Sequence, residues 1–212
     1  TTSQAFTVTV NDTNDAPTAI ALSATAINEN AAGAVVGTLS TTDVDASDTH
    51  TYSLSGTDAS SFEVVSGELK LKSSVTADYE TKSSYAVTVT ATDSGSLTTS
   101  QAFTVTVNDT NDAPTAIALS ATAINENAAG AVVGTLSTTD VDAGDTHTYT
   151  LSGTDASSFE VVSGELKLKD SVTADYETKA SYAVTVTATD SGSLTTSQAF
   201  TVTVNDVNDA PT

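Results

Sequence analysis

The chain has 212 residues, with 27 Asp and Glu against six Lys, a net charge of −21, and no Cys, Met, Trp or Arg. That balance argues against nucleic acid or anionic lipid as a partner, and the lack of Cys excludes a disulfide framework. Apolar residues make up 38% and alternate regularly, which argues against disorder; no stretch approaches the ~18 apolar residues of a membrane-spanning helix or reads as a signal peptide.

Thr1 to Val10 is identical to Thr98–Val107 and to Thr195–Val204. Residues 1–11 therefore read as the last strand of a preceding repeat in a longer array, either unpaired or paired with an exposed strand edge. Residues 12–108 and 109–205 form two repeats differing only at Ser47/Gly144, Ser53/Thr150, Ser73/Asp170 and Ser83/Ala180. Residues 206–212 begin a further linker. A period near one hundred residues is a whole small domain, not a solenoid turn.

Within the first repeat the hydrophobic period is two. Ala19 to Ile27 and Ala34 to Leu39 read as strands. His50 to Leu54 alternates, with Tyr52 and Leu54 on one face. Phe62 to Leu71 reads as a hairpin turning at Ser66-Gly67, with Phe62, Val64, Leu69 and Leu71 on the buried side. Tyr85–Ala91 and Ala102–Val107 alternate cleanly, Thr taking the outward positions where β-branching favours extended backbone. Seven short strands and no helical pattern predict an all-β fold: two tandem seven-stranded Greek-key sandwiches of cadherin or immunoglobulin type, joined end to end. The connector 108–114 is short and polar, and Pro114 holds Ala113 extended.

The acids are concentrated. In the first repeat they fall at Glu29; at Asp43 and Asp45, with Asp48 close by; at Asp78 and Glu80; and at Asp93. Their copies are Glu126, Asp140, Asp142, Asp145, Asp175, Glu177 and Asp190, and the linkers add more. Carboxylates two apart on extended backbone point the same way. Such two-pronged oxygen donors, without His or Cys between them, suit Ca²⁺, which takes six to eight oxygens, better than Mg²⁺. A solvated acidic surface is the alternative for any single Asp, but acids recurring at motif positions amid Ser and Thr favour a ligand set. Asp58 and Glu63 belong to no motif and read as ordinary surface acids. His50 and His147 read as surface or loop-packing residues, and Tyr79 and Tyr176 as packing beneath the acids.

Five signatures resemble the cadherin repeat, in the form found in large secreted (RTX-type) bacterial surface adhesins. They are Asn28-Glu29-Asn30, Asp43-Val44-Asp45, Asp78-Tyr79-Glu80, Ala91-Thr92-Asp93-Ser94-Gly95, and Asp109-Thr110-Asn111-Asp112-Ala113-Pro114; all recur in order in the second repeat. The resemblance implies three Ca²⁺ ions where two repeats meet. Glu29, Asp78, Glu80 and Asp109 would come from the first repeat. Thr110 and Ala113 would give carbonyls, and Asn111 and Asp112 side chains, with Asp112 bridging ions. Asp140, Asp142 and Asp190 would come from the second, with Asp142 reaching across. Ala113 stands where the family has Asn, a position used through its carbonyl. The loop after Asp142 is short, and Asp145 is a candidate oxygen donor there. Half-sites would lie at Asp12, Asn14, Asp15, Asp43, Asp45 and Asp93, and at Glu126, Asp175, Glu177, Asp206, Asn208 and Asp209.

The function implied is that of a calcium-rigidified extender in a stalk on the bacterial cell surface, projecting a distal binding domain. The fragment would be a monomeric rod whose partners are calcium ions and neighbouring repeats. A recognition module, binding homophilically or to a polysaccharide, is the alternative. An enzyme is not expected. The pair Asp78/Glu80 could mimic glycosidase carboxylates, but it is duplicated and no aromatic cleft is implied.

Overall fold

The computed structural model describes residues 1–209; Ala210 and Pro211, which close the third linker motif, lie outside the described residues. The chain divides into two compact units, Thr1–Thr110 and Asn111–Thr212. Residues 1–18 carry no strand. In the stretch expected as a strand, Phe6, Val8 and Val10 are 82–94% exposed.

The first unit runs β1 (Ala19–Leu22), β2 (Ala26–Asn28), β3 (Val35–Thr42), β4 (Thr51–Ser55), a 3-10 turn (Ala59–Ser61), β5 (Phe62–Val65), β6 (Glu68–Leu71), β7 (Ser84–Thr92) and β8 (Thr98–Asn108). Two four-stranded sheets have the orders β1-β3-β6-β5 and β2-β8-β7-β4. The second unit repeats this as β9 (Ala116–Leu119), β10 (Ala123–Asn125), β11 (Val132–Thr139), β12 (Thr148–Ser152), the turn Ala156–Ser158, β13 (Phe159–Val162), β14 (Glu165–Leu168), β15 (Ser181–Thr189) and β16 (Thr195–Asn205).

One expectation needs correction. Ala19 to Ile27 is not one strand. β1 pairs antiparallel with β3, whereas β2 pairs parallel with β8 in the other sheet. The chain changes sheets across Ser23–Thr25. Gly37 lies beneath that crossing: a Cβ there would meet Ser23 Oγ at 2.7 Å and Ala24 N at 2.9 Å. The hairpin is as expected. Val65 pairs with Glu68, and Ser66 and Gly67 both have positive φ, 52° and 82°, the signature of a type I′ turn.

Alternation places one face of each strand inside. Leu69, Leu71, Val89 and Val105 have no exposed surface. Each such side chain contributes about 1.5–3 kcal/mol by leaving water. Phe62 meets Tyr85 edge to face, with centroids 5.6 Å apart, an arrangement the ring quadrupoles favour. The second unit repeats this core around Leu166, Leu168, Val186 and Val202.

Strand polarity decides where the acids go. Because β2 and β8 are parallel, with Asn28 opposite Asn108, both strands exit at the same end, placing Glu29 beside Asp109. β7 runs antiparallel to β8, so Asp93, which follows it, stands at the opposite end.

Candidate metal centre

At the β8 exit of the first unit, one oxygen each of Glu29, Glu80 and Asp109 lies within 4.8 Å of the others. Glu29 is 4% exposed and accepts the N–H groups of Tyr79 and Thr110, each at 2.7 Å. One buried carboxylate thus ties the 78–80 loop to the end of β8. Asp78 stands outside this group. Its oxygens accept the N–H and hydroxyl of Thr81, both at 2.9 Å, and the Thr81 N–H leads in holding its carboxyl below the usual range.

The second unit repeats the group as Glu126, Glu177 and Asp206. Val207 and Tyr176 N–H groups, in that order, lower the Glu126 carboxyl. At Glu177 its own backbone hydrogen bond pulls downward. Burial and the charges of Glu126, Asp206 and Asp209 outweigh it and push the carboxyl up. Asp175 caps Thr178 as Asp78 caps Thr81. Asp209 accepts the Asn127 amide at 2.9 Å, and the Asn208 amide turns to the Asp209 carbonyl.

At the other end of each unit a second group forms: Asp43, Asp48 and Asp93, copied as Asp140, Asp145 and Asp190. β3 delivers Asp43 and β7 delivers Asp93. A tight turn, closed by the Asp48 N–H to the Asp45 carbonyl at 2.9 Å, folds Asp48 back toward Asp43. Asp93 and Asp190 are 6% and 7% exposed. Asp93 Oδ1 accepts the Leu97 N–H at 2.8 Å, and Oδ2 accepts the Asn14 amide at 3.1 Å. In the second unit Asn111 takes that place on Asp190 at 3.0 Å. Gly192 makes room for it, since a Cβ there would fall 2.5–2.6 Å from the Asn111 amide group.

Asp45 and Asp142 each commit one oxygen to the linker. Asp45 Oδ2 accepts the Asp15 N–H at 2.8 Å, and Asp142 Oδ2 accepts the Asp112 N–H at 2.7 Å. The second acid of each Asp-x-Asp pair therefore anchors the linker backbone. Asp12 caps its neighbour, accepting the Thr13 N–H at 3.1 Å, and Ala113 is exposed.

Three residue types have partners that sequence reasoning did not name. His50 packs in the loop before β4, one of the two expected roles: its side chain is 13% exposed, and Nε2 lies 2.9 Å from Asp43 Oδ2. The His50 hydrogen bond, seconded by the Asp45 N–H, lowers the Asp43 carboxyl. At Asp140 burial opposes the shift, yet His147 and the Asp142 N–H lower it. Tyr79 and Tyr176 are 37% and 39% exposed, and their backbone N–H groups serve Glu29 and Glu126. Asp58 is no ordinary surface acid. It accepts the Lys82 ammonium and the Ala86 N–H with its side chain 13% exposed. Glu63, 39% exposed and 4.0 Å from Lys70, is one.

The donor set fits a hard cation. Each of the four groups presents carboxylate oxygens and no sulfur, a set suited to Ca²⁺. Asp48 Oδ2 and Asp145 Oδ2 are covered from solvent and accept no hydrogen bond. An anionic oxygen so placed is costly without a partner.

The cadherin domain family matches residues 23–108 and 120–205. Human Protocadherin Fat 1 is 33% identical over 215 residues, covering 95% of this chain and 5% of that protein. Among solved structures, PcdhgB3 EC1-4 aligns with a TM-score of 0.65 at 26% identity, over 94% of this chain and 52% of that one. Human Protocadherin-24 EC1-2 aligns with a TM-score of 0.65 at 25% identity, over 92% of this chain and 100% of that one. A protocadherin gammaB7 EC3-6 cis-dimer structure gives 0.58 at 27% identity, over 92% and 49%. Among the described residues no helix is long and apolar enough to cross a membrane.

Proposed function

The chain belongs to the cadherin family, and from that premise we propose that it is a calcium-stiffened spacer in a large secreted adhesin of the bacterial cell surface. It holds a distal binding domain away from the cell. The observation that carries this reading is the near-identity of its units, four differences between 12–108 and 109–205. A recognition surface gains from divergence between neighbours; a spacer does not.

Calcium supplies charge neutralisation and shared oxygen ligation. Glu29, Asp78, Glu80, Asp109, Asp112, Asp140, Asp142 and Asp190 bring eight negative charges, and three ions would bring six positive ones. Thr110 and Ala113 add carbonyls and Asn111 an amide oxygen. Without the ions, carboxylates about 4 Å apart repel by about 1 kcal/mol per pair even at the dielectric constant of water. The linker then swings, and with the ions it stiffens. The outer sets at Asp12, Asn14, Asp15, Asp43, Asp45 and Asp93, and at Glu126, Asp175, Glu177, Asp206, Asn208 and Asp209, await neighbouring repeats. Extracellular sites of this kind bind near ~10⁻⁴–10⁻³ M.

Small-angle scattering and thermal unfolding, with millimolar Ca²⁺ and then with EDTA, test this. The expected outcome is a larger radius of gyration and a higher Tm with calcium. Equal values in both buffers would sink it. The second reading, a module that itself recognises a copy of the chain or a polysaccharide, draws on the relative solved as a cis-dimer. Sedimentation equilibrium and a glycan array in calcium distinguish it: self-association or sugar capture favours recognition over spacing.

A further inference from the structure

We propose that the open side of β8, with its copy on β16, is a docking edge that takes an extended, uncharged or basic segment of another protein as an added strand. The inference goes beyond the spacer reading and does not depend on it.

β8 has 11 residues. On one side β7 pairs with it from Thr98 to Thr106, but on the other β2 reaches only Thr106, Val107 and Asn108. Among the described residues no strand pairs with the remaining eight, Thr98–Val105, on that side. Which groups lie there follows from the alternation of the backbone. The Val107 N–H goes to the Ser83 carbonyl, beside β7, and the Thr106 N–H to the Thr25 carbonyl, beside β2. The N–H groups of Ser100, Ala102 and Thr104 share the direction of Thr106, and all three residues are exposed. The Gln101 side-chain amide bends onto the Ala102 carbonyl at 3.0 Å, standing in for a neighbouring strand. In the second unit β10 reaches only Thr203 to Asn205 of β16, and the Gln198 amide donates to the Ala199 carbonyl at 3.1 Å.

Sheet edges are ordinarily guarded by shortness, charge, proline or a bulge. The outermost strands of the first unit obey this: β2 has three residues, β1 and β5 four and β4 five, and β5 carries Glu63. The open side of β8 has no guard. From Ser94 to Asn108 there is no charged residue and no proline, and the register with β7 is unbroken. At about 3.3 Å per residue the open stretch runs about 26 Å.

Charge selects the occupant. A second copy would bring its own net −21 to a strand that lies between Asp93 and Asp109 without a Lys. A neutral or cationic segment meets no such repulsion. Its main chain would bond the open N–H groups, and alternate side chains would fall beside the half-buried Phe103, which favours apolar residues at every second position.

The test is amide hydrogen exchange, read by NMR on the full chain in calcium. The probes are a blocked peptide of alternating Thr and Val with Lys at each end, and its twin with Glu at each end. With the Lys peptide, exchange should slow about tenfold at Ser100, Ala102 and Thr104 and at their copies Ser197, Ala199 and Thr201. Gln101, Phe103 and Val105, whose amides face β7, should not change. The Glu twin should bind about tenfold more weakly. Ser100→Pro/Ser197→Pro removes one edge donor per unit without touching a bond to β7 and should abolish the slowing. Ala102→Lys/Ala199→Lys, which guards the edge with a charge, should do the same, and decides the matter if the Pro variant loses protection at Gln101 and Phe103. No slowing with either peptide overturns the proposal, as does slowing that persists in the variants. Slowing without peptide as protein concentration rises overturns the occupant and gives the edge to a second copy. Equal binding of the two peptides overturns the selection by charge.

Discussion

The Asp58 carboxylate takes the Lys82 ammonium on one oxygen and the Ala86 N–H on the other. The same ammonium lies 4.9 Å from the centroid of the Tyr85 ring, within cation–π range, and Asp155, Lys179 and Tyr182 repeat the arrangement. The Lys82 bond first, then the Ala86 N–H, holds the Asp58 carboxyl below its ordinary 3.8. A folded value below the unfolded one means stability that is present above about pH 4 and lost as pH falls through the folded value. Asp58→Asn/Asp155→Asn should lower stability at pH 7 by about 1–3 kcal/mol per site. Denaturant melts at pH 7 and pH 2.5, both in EDTA, should show that deficit shrinking in acid. Sequence alone hid this pair because Asp58 follows no motif and its partner lies 24 residues away. Glu29, in contrast, was legible as a motif residue. Its two backbone hydrogen bonds were not, since they need the parallel pairing of β2 with β8.

The elements themselves were mostly readable. Period-two alternation located the strand regions, and the Ser66-Gly67 pair located the tight hairpin. The sheet change between β1 and β2 was not read, although it left a trace. Ile20 and Leu22 share one parity, whereas Ile27, 4% exposed, has the other, and a slip of one residue exchanges the faces of a strand. Gly37 permits the crossing, since its missing Cβ leaves room for Ser23 and Ala24. There the pairing of β3 with β6 also shifts register, between Val35 and Gly37. Gly37→Ala should cost about 1–3 kcal/mol, as forced overpacking does. Urea unfolding would measure it, and an unchanged midpoint would count against this role for the glycine.

For the molecule as a whole, the repeat was the plainest fact in the sequence, and it carried the domain class with it. What the repeat could not give was the partition of the acids. Asp48 and Asp145 join the clustered carboxylates, while Asp45, Asp78 and their copies stand outside those groups; turns and strand polarity decide this. The repetition also leaves a surplus. One β sequence occurs three times in full: as β8 with Val105 and Val107 inside, as β16 with Val202 and Val204 inside, and as Thr1–Val10 with the matching Val8 and Val10 bare. Whenever β8 or β16 comes loose, the vacant seat has rival claimants of equal fit, some carried by other molecules. Refolding from denaturant should therefore yield entangled dimers and larger species in proportion rising with protein concentration, resolved by size-exclusion chromatography. Replacing Phe6, Val8 and Val10 with Ser should suppress them, because the spare strand would no longer match the groove.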